Sequence, residues 1–121
     1  MQSQDIPLVA RSCENFPTGT PPIARAEAQR HLSQLSGWLI QGDGKELHKA
    51  YRFRDFASGL ALVNRIGALA DEQDHHPDIL LGWGKVEITL STHSVGGLSI
   101  NDFILAAKTD VLAKDAPGSR T

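Results

Sequence analysis

Lys85-Val86-Glu87-Ile88-Thr89-Leu90-Ser91-Thr92 is the segment that decides the fold of this 121-residue chain. Apolar and polar side chains alternate along it without a break, with Val86, Ile88 and Leu90 on one side. A period of two places successive side chains on opposite faces of a strand. The segment therefore predicts a β-strand with one face against a core and the other face toward solvent.

The flanking residues predict a hairpin before this strand and a capped helix after it. Asp78 to Leu81 is a short extended piece, and Gly82-Trp83-Gly84 forms the turn. Gly96-Gly97 turns the chain again, and Ser99 begins a last helix. Ser99 and Asp102 have the spacing of a capping box, with Asp in place of the usual Glu or Gln.

The longest predicted helix precedes the hairpin. Asp55 is its candidate N-cap, and it ends near Gln73, before the helix-breaking Pro77. Apolar side chains recur along it at steps of three and four, which is typical of a helix with one buried face. These residues are Phe56, Leu60, Val63, Ile66, Leu69 and Ala70.

The N-terminal half predicts one helix and a second hairpin. Ala24 to Leu35 is rich in helix-forming residues. Gly42-Asp43-Gly44 then separates two strands, one starting with Trp38 to Ile40 and the other spanning Glu46 to Phe53. Lys49 falls on the apolar face of the second strand, which breaks the alternation.

The predicted order of elements is α-β-β-α-β-β-α, with the strands in hairpin pairs. This order favours an α+β fold, a four-stranded antiparallel sheet with helices packed on one face. We expect the domain to span residues 25–113. Residues 1–24 predict an irregular N-terminal tail, loose or draped over the surface, and residues 114–121 predict a frayed C-terminal tail.

Composition excludes several classes of function. A net charge of -2 and a pI of about 6.2 offer no basic surface for nucleic acid or for an anionic membrane. No apolar run approaches the roughly 20 residues that span a bilayer. The N-terminus lacks the features of a secretory signal, and the single Cys13 allows no intrachain disulfide. We expect a cytoplasmic protein with no nucleic-acid or membrane partner.

Three of the five histidines, His75, His76 and His93, lie close together in the sequence. The first two follow the long helix and the third ends the Lys85–Thr92 strand, so all three reach one cleft if that strand pairs with Asp78 to Leu81. Neighbouring imidazoles are seldom protonated together, which lets one act as a base while another acts as an acid. This pattern favours proton transfer on a small molecule near neutral pH. The remaining two, His31 and His48, are expected at the surface.

Other interpretations of the same residues stay open. Three histidines bind zinc in some enzymes, but adjacent histidines lack the i, i+4 spacing of helical zinc motifs, and we expect no metal. A half-buried histidine pair also serves as a helix C-cap. Asp74 or Asp71 is a candidate to orient an imidazole, Asp71 is alternatively a solvated helix residue, and Asp102 is explained by the capping box alone. Trp83 is either a turn residue on the sheet or a wall of the pocket.

Together these residues resemble the pterin-4a-carbinolamine dehydratase family. The resemblance rests on three linked motifs: Asp71-x-x-Asp74-His75-His76-Pro77, Trp83-Gly84-Lys85-Val86-x-Ile88-Thr89-Leu90-Ser91-Thr92-His93 and Gly97-Leu98-Ser99-x-x-Asp102. Asn101-Asp102-Phe103-Ile104-x-Ala106-Ala107 is similar to bacterial members associated with phenylalanine hydroxylase. The chain departs from the family at Asp71, where Glu is common.

The resemblance implies a 4a-hydroxytetrahydrobiopterin dehydratase, a hydro-lyase that removes water from pterin-4a-carbinolamine and needs no metal or organic cofactor. It implies that His75 and His93 transfer protons, with His76 close by. The residues it places against the pterin are Asp74, His75, His76, Ser91, Thr92, His93 and Ser94, with Asp71, Trp83 and Asp102 in support.

The resemblance also implies a homodimer or homotetramer that acts in tetrahydropterin recycling beside an aromatic amino-acid hydroxylase. One animal member doubles as a dimerisation cofactor for a transcription factor. The alternative is therefore a non-catalytic scaffold of the same fold. The three histidines favour the enzyme, because a scaffold needs none of them.

Overall fold

A computed structural model describes residues 6–120 of the chain. Its helices and strands are α1 (Arg25–Leu32), β1 (Leu39–Gln41), β2 (Glu46–Arg52), α2 (Phe56–Gln73), β3 (Asp78–Gly82), β4 (Lys85–Leu90) and α3 (Ile100–Lys114). Two short 3-10 helices, Leu8–Ala10 and His93–Val95, lie outside them. The predicted α-β-β-α-β-β-α order is confirmed. No helix in the described part of the chain is long and apolar enough to span a membrane.

The four strands form one antiparallel sheet in the order β1-β2-β4-β3. The three inward-facing residues of β4, Val86, Ile88 and Leu90, have no exposed surface, while the residues between them are partly exposed. The alternation predicted for this strand is therefore confirmed. The strand ends two residues earlier than predicted because Thr92 leaves the sheet and bridges Gly97.

Helix α2 packs against β3 and β4 through a stripe of small and aliphatic residues. Asp55 caps it as predicted, and its carboxylate accepts a hydrogen bond from the backbone N–H of Ser58 at 2.8 Å. The buried residues of the helix are Gly59, Leu62, Ile66 and Ala70.

The prediction that Phe56 and Leu60 face the core is wrong, because these side chains are 45% and 41% exposed. The helix instead turns the stripe that begins at Gly59 toward the sheet. A Cβ atom at Gly59 would lie 3.2 Å from the side chains of Leu81 and Val86, so the absent side chain lets the helix approach the sheet closely.

Helix α3 explains why Lys49 interrupts the apolar face of β2. The Nζ atom of Lys49 lies 2.8 Å from a carboxylate oxygen of Asp110, a residue of α3, and 4.8 Å from the ring centroid of Tyr51. Asp110 also accepts hydrogen bonds from the Tyr51 hydroxyl and from the Trp38 indole N–H. The inward-facing lysine is thus paired with a carboxylate and lies over an aromatic ring.

Both segments outside the predicted domain pack against it. Leu8 is buried in the core beside α3. At the other end, Ser119 bridges Phe53, and the backbone N–H of Arg120 donates to the carbonyl of Arg52 at 2.8 Å. The prediction that the C-terminal residues are frayed is therefore wrong as far as residue 120, because backbone hydrogen bonds attach them to the end of β2.

Candidate functional site

Strand pairing brings the two histidine segments to the same end of the sheet. Asp78, the first residue of β3, pairs with Thr89, near the end of β4. His75 and His76, just before β3, therefore lie at the same end of the sheet as His93, just after β4. The pairing on which the predicted cleft depended is present.

His75 makes the buried contact of this group. Its Nε2 atom lies 2.7 Å from Oδ1 of Asp102, which has no exposed surface, and the side chain of His75 is 10% exposed. A carboxylate can only accept hydrogen bonds, so Nε2 carries the proton in this contact. The neutral ring then has Nδ1 free to accept a proton.

Asp102 also reaches the segment that carries His93. Its Oδ2 atom accepts a hydrogen bond from the Thr92 hydroxyl at 2.8 Å and from the backbone N–H of Ser99 at 2.9 Å. The Thr92 and Ser99 hydroxyl oxygens are 2.6 Å apart, and Thr92 has given its only hydrogen to Asp102, so Ser99 is the donor between them. The buried carboxylate thus has three donors, which offset the cost of burying its charge.

The predicted capping box is confirmed, but it accounts for only part of the role of Asp102. The same carboxylate that caps α3 also orients His75 and fixes Thr92, the residue before His93. This contact joins residues 75 and 102, which are far apart in the sequence, and no local spacing indicates it.

Backbone hydrogen bonds, and not imidazole rings, cap the C-terminus of α2. Asp74 adopts a left-handed conformation (φ 51°) at the C-cap, and the backbone N–H of His75 donates to the carbonyl of Ala70 at 3.1 Å. The histidine rings therefore do not cap the helix, which leaves them available for other contacts.

His76 points to a different carboxylate. Its Nε2 atom lies 2.9 Å from Oδ1 of Asp71, and the two side chains are 58% and 82% exposed. Water and salt screen an ion pair at such exposure, so the pair is weak.

His93 begins the 3-10 helix His93–Val95 beside a shallow cavity of about 260 Å³. Within residues 6–120 its ring makes no hydrogen bond to another side chain. The cavity is lined by Lys45, Glu46, Ser91, Thr92, His93, Gly96 and Gly97. Lys45 and Glu46 were not predicted as site residues. The register that pairs Leu47 with Leu90 brings them here, and only knowledge of that register would have indicated them.

The structure does not bring Trp83 to the histidines. It lies in the turn between β3 and β4, at the opposite end of β4 from His93, and is 74% exposed. Within residues 6–120, no group of three or more His, Cys, Asp and Glu side chains is arranged to hold a metal ion.

His31 was expected at the surface, and that expectation is wrong. It is only 3% exposed, and its ring centroid lies 5.6 Å from that of Phe103. Among residues 6–120 its Nδ1 atom has no hydrogen-bond partner. Burial lowers its pKa from the ordinary 6.5. In α1 the ring takes the place of an apolar core side chain. His48 is partly exposed and pairs with Glu87 at 3.0 Å.

Comparison with known proteins identifies the family. A family model described as pterin 4 alpha carbinolamine dehydratase matches residues 21–112. The chain belongs to this family. The resemblance seen in the sequence is therefore confirmed.

Relatives support the same family over nearly the whole chain. A protein of Azoarcus sp. (strain BH72) is 43% identical over 93% of this chain and 96% of its own length. One from Rubrobacter xylanophilus is 46% identical over 87% of this chain and 97% of its own length. Both carry the name "Putative pterin-4-alpha-carbinolamine dehydratase".

Two solved structures share the fold. The transcriptional coactivator/pterin dehydratase from Brucella melitensis superposes with a TM-score of 0.71 at 28% identity, covering 76% of this chain and 98% of that one. A pterin dehydratase-like protein described as a RuBisCO assembly factor in the alpha-carboxysome gives a TM-score of 0.56 at 31% identity, covering 64% and 89%. One of these two structural neighbours is therefore described by an assembly role.

Proposed function

We propose that this chain is a 4a-hydroxytetrahydrobiopterin dehydratase in which His75 and His93 transfer the protons. The observation that carries the proposal is the buried contact from His75 through Asp102 to Thr92, beside His93. This contact orients the imidazole of His75 and connects it to the segment that carries His93, at the same end of the sheet. The buried carboxylate fixes the orientation and the tautomer of the imidazole that it contacts, which is what proton transfer to a bound molecule requires.

The proposed reaction removes water from the 4a-carbinolamine. His75 takes the proton from N5 of the pterin at its Nδ1 atom, while Asp102 stabilises the imidazolium that forms. The N5–H electron pair becomes the second bond between C4a and N5, and the C4a–O bond breaks. His93 donates a proton to the departing hydroxyl, which leaves as water. The product is the quinonoid dihydropterin, and the two histidines then exchange their protons with solvent.

The substrate would lie between these histidines. We propose that Asp74 and His76 contact it from the side of α2, and that Ser91, Thr92 and Ser94 contact it from the side of β4. Asp71 supports His76 from the surface. The proposal assigns no role to Trp83, given its position at the far end of the hairpin.

The test is a coupled assay with a pterin-dependent hydroxylase that follows the decay of the carbinolamine. We expect His75→Ala and His93→Ala each to lower kcat by about 10²-fold or more, because each removes a general acid or base. His48→Ala is the matched control, since it removes a histidine that also pairs with a carboxylate but lies on the outer face of the sheet. Activity close to wild type in both site variants would contradict the proposal.

Metal removal is the second arm of the test. The proposed chemistry uses imidazole alone, so activity should persist after exhaustive chelation. Loss of activity with EDTA, restored by zinc, would replace the acid/base proposal with a metal site.

We also propose that the protein forms a homodimer or homotetramer and works in the cytoplasm beside an aromatic amino-acid hydroxylase. Large apolar side chains at the surface support self-association, among them Leu39, Phe56, Leu60 and Leu80. Analytical ultracentrifugation tests the oligomeric state. A mass near 13.1 kDa in solution would mean that the protein is a monomer and would contradict this part of the proposal.

A non-catalytic binding protein remains the second candidate. The observation in its favour is the assembly role described for one structural neighbour at 31% identity. The dehydration assay separates the two, because a scaffold would leave the decay of the carbinolamine at its spontaneous rate.

A further inference from the structure

Residues 13–20, here called the strap, cross the molecule beside both histidine segments. At one end of the strap, the backbone N–H of Cys13 donates to Oε1 of Gln73 at 2.8 Å, two residues before His75. At the other end, the backbone N–H of Gly19 donates to the carbonyl of Ser94 at 3.0 Å, one residue after His93. The strap therefore connects the two segments that carry the proposed acid and base.

Asn101 fixes the start of the strap, next to Cys13, to the first turn of α3. Its Oδ1 atom accepts from the backbone N–H of Glu14 at 2.8 Å, and its Nδ2 atom donates to the carbonyl of Glu14 at 2.7 Å. Asn101 is 4% exposed. A buried amide that is bonded through both its oxygen and its nitrogen has a defined orientation, so the strap is held in one place.

The strap has its own stiffness where it meets Ser94. The carbonyl of Pro17 accepts hydrogen bonds from the backbone N–H and the hydroxyl of Thr20, which closes a turn. Gly19 has φ +96° at the third position of that turn, a conformation that other residues rarely adopt. The turn presents the N–H of Gly19 to the His93 segment.

Asp102 and the strap make two parallel connections between the same segments. Asp102 makes the inner one, from His75 to Thr92. The strap makes the outer one, from Gln73 to Ser94, and Asn101 anchors it at Glu14. Two connections of different length across one gap define the separation of the segments better than one does.

We propose that the strap is a positioning element of the dehydratase site, with Asn101 and Gln73 as its positioning residues. It holds the His75 and His93 segments at the separation at which one base and one acid act on a single substrate. The inference rests on the proposed function. The strap lies ahead of residue 21, where the match to the family model begins, so the family model does not include it.

Cys13 contributes to the strap through its backbone N–H and through a weak hydrogen bond from its thiol to the carbonyl of Asn101. Burial raises the pKa of its thiol to about 11, which keeps the sulfur protonated and unreactive at neutral pH. The thiol lies 3.7 Å from the carbonyl of Asn101. We therefore assign Cys13 no nucleophilic role.

Gln73 allows the sharpest test, because its side chain is partly exposed and bonds the strap through one acceptor. We expect Gln73→Ala to lower kcat about three- to tenfold with little change in KM, as the loss of one positioning hydrogen bond allows. Gln73→Glu keeps an acceptor for the Cys13 N–H and should restore most of that loss. A purely structural role would not produce this split between kcat and KM, nor the rescue.

Lys108→Ala is the matched control, because Nζ of Lys108 donates to the carbonyl of Val9, in the same N-terminal region but ahead of the strap. It should leave kcat unchanged. Asn101→Ala should lower kcat at least as much as Gln73→Ala, and if it fails to fold, the two Gln73 variants decide the matter. If the wild type is active and the Gln73→Ala and Asn101→Ala variants have the same kcat as Lys108→Ala, the strap proposal is wrong while the proposed function stands. An inactive wild type would overturn the proposed function as well.

Discussion

His75 and His76 are adjacent in the sequence, and each contacts an aspartate over nearly the same distance, yet they occupy opposite environments. The His75–Asp102 contact of 2.7 Å is almost wholly buried and shares its carboxylate with Thr92 and Ser99. The His76–Asp71 contact of 2.9 Å is exposed and stands alone. The same chemical pair is therefore strongly constrained in one case and screened by water in the other.

Backbone geometry produces this difference. Asp74 ends α2 in a left-handed conformation, and the residues that follow leave the helix without its regular direction. One ring consequently turns inward to α3 and the next turns back to the surface of α2. Burial, rather than the identity of the pair, then decides which histidine has a fixed tautomer.

The largest effect is expected from Asp102→Asn. In this variant a side-chain N–H group would face Nε2 of His75, which in the wild type carries a proton and donates it to Asp102. Two donors cannot bond each other, so the ring proton should move from Nε2 to Nδ1. His75 would then have no free Nδ1 to accept a proton and should lose its function as a base. We expect kcat to fall by about 10²-fold. Asp71→Asn is the matched control, because it makes the same change in the exposed pair. Equal kcat values in the two variants would remove the distinction between the pairs.

The second largest effect is expected from Thr92→Val, which keeps the shape but removes one donor to Asp102. A hydrogen bond to a charged group contributes about 1.5–3 kcal/mol, so the free energy of unfolding should fall by about that amount. We expect kcat to fall about tenfold as His75 and the His93 segment lose a shared contact. Thr89→Val, on the outer face of β4, is the control. An unchanged stability, measured by urea unfolding, would show that the Thr92 hydroxyl does not hold the buried carboxylate.

Much of the fold could be predicted because its signals are local. The strict alternation around Ile88 predicted the central strand, and the caps at Asp55 and Ser99 predicted where two helices begin. Periodicity could not show which stripe of α2 meets the sheet. Phe56 and Leu60 have helical spacing, but the missing side chain at Gly59 decides which face approaches β4.

The candidate site was predictable in its members but not in its contacts. The clustering of His75, His76 and His93 in the sequence indicated acid/base chemistry, and pairing of β3 with β4 brought their segments to one end of the sheet. The bond from His75 to Asp102 depends on how α3 packs, which no spacing encodes. For the strap, a segment rich in proline predicted only an irregular tail. Its hydrogen bonds were not predictable because, on the side of the strap, they use backbone groups that every sequence has.

A smaller effect, on stability rather than catalysis, is expected from His31→Leu. This histidine sharpens the comparison because it is buried like His75, but its Nε2 atom lies 3.9 Å from a carboxylate oxygen of the exposed Glu27 instead of 2.7 Å from a buried one. Within residues 6–120 its buried Nδ1 atom has no hydrogen-bond partner. Removing an unsatisfied buried polar atom should raise the free energy of unfolding by about 1 kcal/mol at pH 7. Activity should not change, and a loss of stability on urea unfolding would show that the imidazole packs better than leucine.

The pH dependence of His31 follows from the direction of its pKa. Burial lowers the pKa in the folded state below 6.5, so the unfolded chain binds a proton more readily. The stabilisation from the neutral ring is therefore complete above pH 6.5 and is lost as the pH falls through the folded-state pKa. Urea unfolding between pH 7 and pH 5 should show this loss in the wild type and a flatter profile in His31→Leu.

The smallest effect is expected from Asp71→Asn itself. Both partners of the His76–Asp71 pair are more than half exposed, and exposed pairs contribute little after water and salt have screened them. We expect kcat and KM to change by about threefold at most. Because the attraction is a surface one, the difference from wild type should shrink further between low and high ionic strength. A loss comparable to that of Asp102→Asn, persisting at high salt, would mean that bound substrate buries the pair, and that His76 then acts on the pterin as directly as His75.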